Sequence, residues 1–126
     1  LIPGLRNIPK DEPLALIKDG SIYFLVMNQV DNKFTPDWGK KFNSILDEVE
    51  KTTGPGCLVT VGAFEKVYHT GFDLDWWKAN PMGMYECFKD LFNTLERLLT
   101  FPLPTMALIN GHCYAGGMLI AICQDQ

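Results

Sequence analysis

Hydrophobic positions change their spacing several times along the chain, and each change marks an element. Ile22-Tyr23-Phe24-Leu25-Val26-Met27 is a continuous apolar run, too apolar to be half exposed, and it follows Leu14 to Lys18 across Asp19-Gly20. Two short runs joined by an Asp-Gly turn predict a hairpin that feeds a buried sheet. Beyond it, Trp38, Phe42, Ile45, Leu46 and Val49 recur at helical spacing behind Thr35-Pro36. A Thr hydroxyl caps free N–H groups, and Pro loses nothing at the first helical position, so a helix starts there. It stops by Gly54-Pro55-Gly56, after which Cys57-Leu58-Val59-Thr60-Val61 reads as a covered strand. Gly71-Phe72-Asp73-Leu74 follows a loop. From about Met84 to Leu99, the residues Tyr85, Phe88, Leu91, Phe92, Leu95, Leu98 and Leu99 fall on one broad face of a long amphipathic helix. Phe101-Pro102-Leu103-Pro104 breaks it, Thr105 to Ile109 forms another buried strand, and Gly116 to Cys123 is helical.

Alternation of strands with helices implies an α/β protein with mostly parallel neighbours. Residues 1–13 carry Pro3, Pro9 and Pro13, which suits an extended arm better than a helix. Residues 14–126 then form one domain, incomplete as it stands. A chain ending at Gln126 leaves the apolar face of its last helix and a sheet edge open, so the rest of the fold or a companion chain is expected to cover them.

Composition narrows the function. The 126 residues are 47% hydrophobic and 21% charged with a formal charge of -4, and no Lys/Arg stripe exists to neutralise a nucleic-acid backbone. Single cations such as Lys33, Lys40, Lys41 and Lys66 remain to meet one phosphorylated ligand. Cys57, Cys87, Cys113 and Cys123 include no C-x-x-C pair, and neither His69 nor His112 stands at zinc-ligand spacing from them, so they read as reduced core thiols and no metal is expected. Met106 to Cys123 is interrupted by Asn110, Gly111, His112 and a glycine pair, which makes it a poor membrane span.

Two segments set glycine just after a buried strand and just before a helical pattern, where backbone N–H groups are free for an anion. They are Tyr68-His69-Thr70-Gly71-Phe72-Asp73-Leu74 and Asn110-Gly111-His112-Cys113-Tyr114-Ala115-Gly116-Gly117-Met118. In the second, adjacent glycines let a ligand approach the main chain without a Cβ in the way. A lone His beside a glycine turn is most simply a hydrogen-bonded structural residue, and this is the reading for His69 and His112. Trp76-Trp77 is either a lid over a ligand tunnel or plain packing, and Tyr114 and Met118 face either a bound ligand or the core.

The run Lys66 to Leu74 resembles the first signature of the crotonase superfamily, and Pro104 to Gly111 leading into Ala115-Gly116-Gly117 resembles its second, with one long helix between them. The resemblance covers residues 14–126 and implies the N-terminal half of a crotonase-like core of repeated ββα units wound in a spiral. It implies an acyl-CoA thioester as substrate, no cofactor, and a homotrimer or hexamer. It places the two backbone N–H donors of an oxyanion hole at Phe72 and Gly116. It also places His69, Thr70, Gly71, Leu74, Gly117 and Leu119 along the substrate, with Asp73 bracing the loop. Family hydratases carry a catalytic Glu where this chain has Leu119, and water addition needs two carboxylates. Delta isomerases lack that Glu and shift a 3-enoyl double bond to the 2-enoyl position with one base, which the family holds beyond residue 126. Asp73, Asp75, Glu86 and Asp125 all read as helix-start or surface carboxylates. The resemblance is thus nearest to the delta isomerases, located in the peroxisome or, as the alternative, the mitochondrion. Other crotonase activities, such as hydration or thioester hydrolysis, and an inactive structural subunit are the alternatives.

Overall fold

The computed structural model describes residues 2–126. In chain order the elements are β1 (Leu14–Asp19), β2 (Ile22–Met27), β3 (Lys33–Phe34), α1 (Pro36–Glu50), β4 (Cys57–Gly62), β5 (Val67–His69), β6 (Gly71–Phe72), α2 (Leu74–Ala79), α3 (Met84–Leu99), β7 (Thr105–Leu108), β8 (His112–Cys113) and α4 (Gly116–Ile122). Single 3-10 turns lie at Leu5–Asn7 and Pro81–Gly83.

The main sheet has the order β1-β2-β4-β7, antiparallel at the β1-β2 hairpin and parallel thereafter. The short strands pair separately and in parallel, β3 with β6 and β5 with β8. A repeat follows from this connectivity: a main-sheet strand, one or two short strands, then helix, three times over (β2, β3, α1; β4, β5, β6, α2 and α3; β7, β8, α4). Like strands of successive turns lie side by side. This is the wound ββα core that the sequence implies.

Helix α1 forms where Thr35 accepts a hydrogen bond from the Trp38 N–H at 3.2 Å and Pro36 opens the first turn. Its predicted stripe, Trp38, Phe42, Ile45, Leu46 and Val49, is entirely buried. It packs with Leu25 and Met27 of β2, Leu58 of β4 and Leu91, Leu95 and Leu98 of α3 in one core. Arg97 ties α3 to α1, donating to the Asn43 carbonyl at 3.0 Å and pairing with Asp47 at 2.6 Å and Glu50 at 3.3 Å.

Three expectations need correction. The arm over residues 1–13 is not uniformly extended: Gly4 turns it at φ 77 into the 3-10 turn, and Asn28 donates to the carbonyls of Pro9 and Glu12. The broad face of α3 is only partly covered: Cys87, Leu91, Thr94, Leu95 and Leu98 are buried, whereas Tyr85, Phe92 and Leu99 are exposed. The neighbouring elements reach one stripe of the helix and no further. Strand β7 is likewise half exposed, because it is the sheet's edge: Thr105 is buried while Met106 and Leu108 are open. With Met118, Leu119 and Ile122 of α4, these residues make an exposed apolar band.

Behind β4 a polar cluster is sealed in the core. The Tyr68 hydroxyl meets Thr60 Oγ1 at 2.6 Å, and Gln124 Nε2 donates to Thr60 Oγ1 at 2.9 Å and to the Ile120 carbonyl at 3.1 Å. Burial pushes the Tyr68 phenol up to about 12, so it stays a neutral donor. Tyr68→Phe is expected to lower the unfolding free energy by about 1 kcal/mol, seen as a lower urea midpoint at unchanged slope. An unchanged midpoint would mean that Thr60 and Gln124 satisfy each other without the phenol.

Candidate functional site

The first glycine segment is pinned on both sides of its turn. Thr70 donates to the Asp31 carbonyl through its N–H (3.2 Å) and its hydroxyl (2.9 Å). On the far side, Asp73 N–H donates to the Phe34 carbonyl at 3.1 Å, and Asp73 Oδ1 accepts from Trp76 N–H at 3.0 Å to start α2. Between them Gly71 takes φ +96, a conformation in which an L side chain is strained. Phe72 stands in register with Phe34, and parallel pairing makes Phe34 bond the residues on either side of Phe72. The Phe72 N–H therefore points away from β3 and has no acceptor among the described residues.

The second segment begins where Tyr114 N–H donates to the His69 carbonyl at 3.0 Å. Ala115 sits at φ 44, ψ -120, strained for a residue with a Cβ, and Gly117 N–H closes the turn on the Tyr114 carbonyl at 2.8 Å. Gly116 opens α4, where first-turn N–H groups are free, and its N–H has no acceptor among the described residues. The two segments touch through main chain. A Cβ on Gly71 would stand 3.1 Å from Gly116 N, and one on Gly117 would stand 2.3 Å from the His69 carbonyl oxygen.

The predicted site residues divide by position. Phe72, Gly71, Gly116 and Gly117 lie at this contact. His69 is fully buried; its Nδ1 accepts from Gly71 N–H at 3.0 Å, and its ring meets Trp38 edge-on at 4.9 Å. Burial pulls its pKa down to about 3, so it is a neutral imidazole. Thr70 is spent on Asp31, whereas Leu74 is exposed at the start of α2 and Leu119 stands on the open face of α4. The Phe72 ring is half buried among Phe34, Trp77 and Phe88, at centroid distances of 5.8, 4.6 and 4.8 Å. Asp73 is the cap expected of it. Asp125 instead anchors the sheet edge, accepting from Thr105 N–H at 2.9 Å.

Two supporting residues were not anticipated. Asn32, buried at φ 46, donates to the Tyr68 carbonyl at 2.9 Å, and Asn110 holds the carbonyls of Gly62 and Phe64 at 2.8 and 3.1 Å. Asn tolerates left-handed backbone and bonds main chain locally, so Asp31-Asn32 and Asn110-Gly111 were the available signals. Beside the site a mostly apolar cleft of about 460 Å³ is lined by Val30, Phe64, Glu65, Lys66, Val67 and His112. Lys33 and Lys41 are paired with Asp31 and Glu12, but Lys66 is in no ion pair among the described residues. Among those residues no group of three or more His, Cys, Asp or Glu is placed to hold a metal, and no helix is long and apolar enough to cross a membrane.

Two contacting loops that offer free N–H groups among the described residues are carried on a wound ββα core of the crotonase type. Residues 19–126 match the enoyl-CoA hydratase/isomerase family, and the chain belongs to it. It is 30% identical over 116 residues to enoyl-CoA delta isomerase 3 of Arabidopsis thaliana, covering 88% of this chain and 49% of that protein. With the peroxisomal enoyl-CoA delta isomerase 2 of the same plant it shares 30% over 121 residues, again 88% and 49%. The crystal structure of a probable enoyl-CoA hydratase, EchA3, from Mycobacterium tuberculosis superposes with a TM-score of 0.84 at 25% identity, over 91% of this chain and 49% of that one. The chain thus spans about half the length of these relatives.

Two expected outcomes follow. Gly117→Ala forces the second segment off the His69 carbonyl and should destabilise the fold by about 1–3 kcal/mol, measured by thermal unfolding. His69, with a folded pKa below its unfolded value, contributes stability that is full above about pH 6.5 and declines as pH falls toward about 3. Stability of the parent chain should fall through that window more steeply than that of His69→Asn, by up to about 1.4 kcal/mol per pH unit. Parallel curves would mean the imidazole is charged in the folded state.

Proposed function

We propose that this chain carries the thioester-binding half of an enoyl-CoA delta isomerase, with the N–H groups of Phe72 and Gly116 forming an oxyanion hole. The observation that carries the reading is the contact of two main-chain segments, each presenting an N–H with no acceptor, in a chain that has Leu119 where a second catalytic carboxylate would stand. Removing a proton from C2 of a 3-enoyl thioester moves negative charge onto the carbonyl oxygen. Donors fixed in place by the fold stabilise that charge without reorganising, and one such donor is commonly worth about 10²–10³ in rate. The base takes the C2 proton, the electrons shift through the dienolate, and a proton returned at C4 leaves the conjugated 2-enoyl product. The family resemblance implies that this base lies beyond residue 126; within the chain, Asp73 and Asp125 are committed to capping and to Thr105.

Gly71, Gly117, Leu74 and Leu119 would line the thioester and acyl chain, while His69 and Thr70 shape the loop. The mostly apolar cleft suits a mostly apolar stretch of CoA, with Glu65 and Lys66, the latter in no ion pair among the described residues, at its wall. The exposed band on α3, β7 and α4 is reserved for the remainder of the fold within a homotrimer or hexamer. A peroxisomal location agrees with the name of one Arabidopsis relative. Hydration is the second reading, favoured by a relative named a putative enoyl-CoA hydratase and opposed by Leu119.

The whole protein is expected to convert 3-hexenoyl-CoA to the 2-enoyl thioester without hydrating 2-hexenoyl-CoA, followed by absorbance of the conjugated product. Hydration would transfer the reading to a hydratase. Silence in both assays, with no CoA thioester bound, would leave an inactive structural subunit.

A further inference from the structure

His69 touches both segments that present the free N–H groups. Its Nδ1 accepts from Gly71 N–H at 3.0 Å, and its carbonyl accepts from Tyr114 N–H at 3.0 Å. The same carbonyl is the surface against which Gly117 packs. The ring is fully buried against Trp38, and its Nε2 has no partner among the described residues. An imidazole that accepts at Nδ1 carries its proton on Nε2. We propose that His69 is a positioning residue of the thioester site: as a neutral acceptor it holds the Gly71 N–H and, together with the β3 pairing on the Gly71 carbonyl, fixes the glycine whose next peptide aims Phe72 N–H at the space beside Gly116. This rests on the oxyanion-hole reading above.

The reason lies in Gly71. With no Cβ and φ +96 it is the freest residue of the loop; Thr70 is fixed before it, and the pairing with β3 holds its carbonyl after it. Its own N–H is restrained by one bond, to His69. A rotation there would swing the next N–H off the oxyanion. Such an acceptor must stay unprotonated, and complete burial with no carboxylate bonded to the ring keeps it so. A ring that merely filled space would be replaceable by any apolar group of similar size.

The test compares the whole parent protein with His69→Leu, which fills the site without an acceptor, and His69→Asn, which puts Oδ1 on the same Cγ that carries Nδ1. Three quantities are measured: kcat and KM for 3-hexenoyl-CoA, the ultraviolet band of enolate formed on bound acetoacetyl-CoA, and the melting temperature. His69→Leu should lower kcat by about 10–100-fold with KM little changed, since a misdirected donor loses part of the about 10²–10³ that a deleted one loses. It should also abolish the enolate band. His69→Asn should recover most of both although it melts no higher than the Leu variant. Equal kcat in the two variants, or losses that track the melting temperature, would overturn the positioning role while leaving the isomerase reading intact. An enolate band that appears in the parent and vanishes in His69→Leu, with no isomerisation by either, would remove the isomerase reading and retain the positioning role. A parent that neither isomerises nor forms enolate would remove both.

Discussion

Main chain lying directly on main chain is the constraint on which the rest of this structure depends. Glycine makes the approach possible at four places in the middle and last ββα turns. A Cβ would come within 2.3 Å of backbone at Gly62, Gly111 and Gly117, and within 3.1 Å at Gly71. Gly62 and Gly111 close on Val67 and Lys66 at the entrance to β5, while Gly71 and Gly117 close on Ala115, Gly116 and His69 at its exit. The pairing of β5 with β8 is thereby clamped at both ends. That short ladder holds two loops against each other, each with an N–H that has no acceptor among the described residues.

Backbone groups used in this way need support that side chains elsewhere provide. Asp31 takes both donors of Thr70, Asn32 holds the carbonyl of Tyr68, and Asn110 holds the carbonyls of Gly62 and Phe64. Each bond satisfies a polar group that would otherwise be stranded where the chain leaves its ladder. The strain at Ala115 belongs to the same arrangement. A residue with a Cβ at φ 44 persists only because Tyr114 and Gly117 are fixed on either side.

Much of this was legible in the chain. The hairpin, α1 with its five-residue buried stripe, β4, α3 and α4 all carry long periodic or continuous apolar patterns, which burial enforces. Strands β3, β6 and β8 were invisible because two residues hold no period. The three-residue β5 shares that difficulty. Helix α2 was concealed because Trp76 and Trp77 are bulky apolar residues with no polar face between them; Asp73 as a cap was the available clue. The two glycine segments could be named from sequence, but not their contact, since that depends on parallel pairing between residues more than forty apart. His69 shows the same limit. Its type is visible in the sequence, but its role is set by which atom faces Gly71.

Phe72 shows how one residue divides its functions. Its N–H needs nothing from its side chain, so the ring is free to do something else, and it packs at 4.6 Å from Trp77 and 4.8 Å from Phe88. Those contacts join the loop to α2 and α3 and give it a rigid outer wall. Trp77 is therefore packing in this part of the fold, whether or not an acyl chain later lies along it. The wall thins outward, from the half-buried Phe72 ring to the exposed Phe92 stacked 6.4 Å from Phe88. The ring that adjoins the Phe72 N–H is thus the inner end of an aromatic row whose outer end, on α3, is left open to solvent.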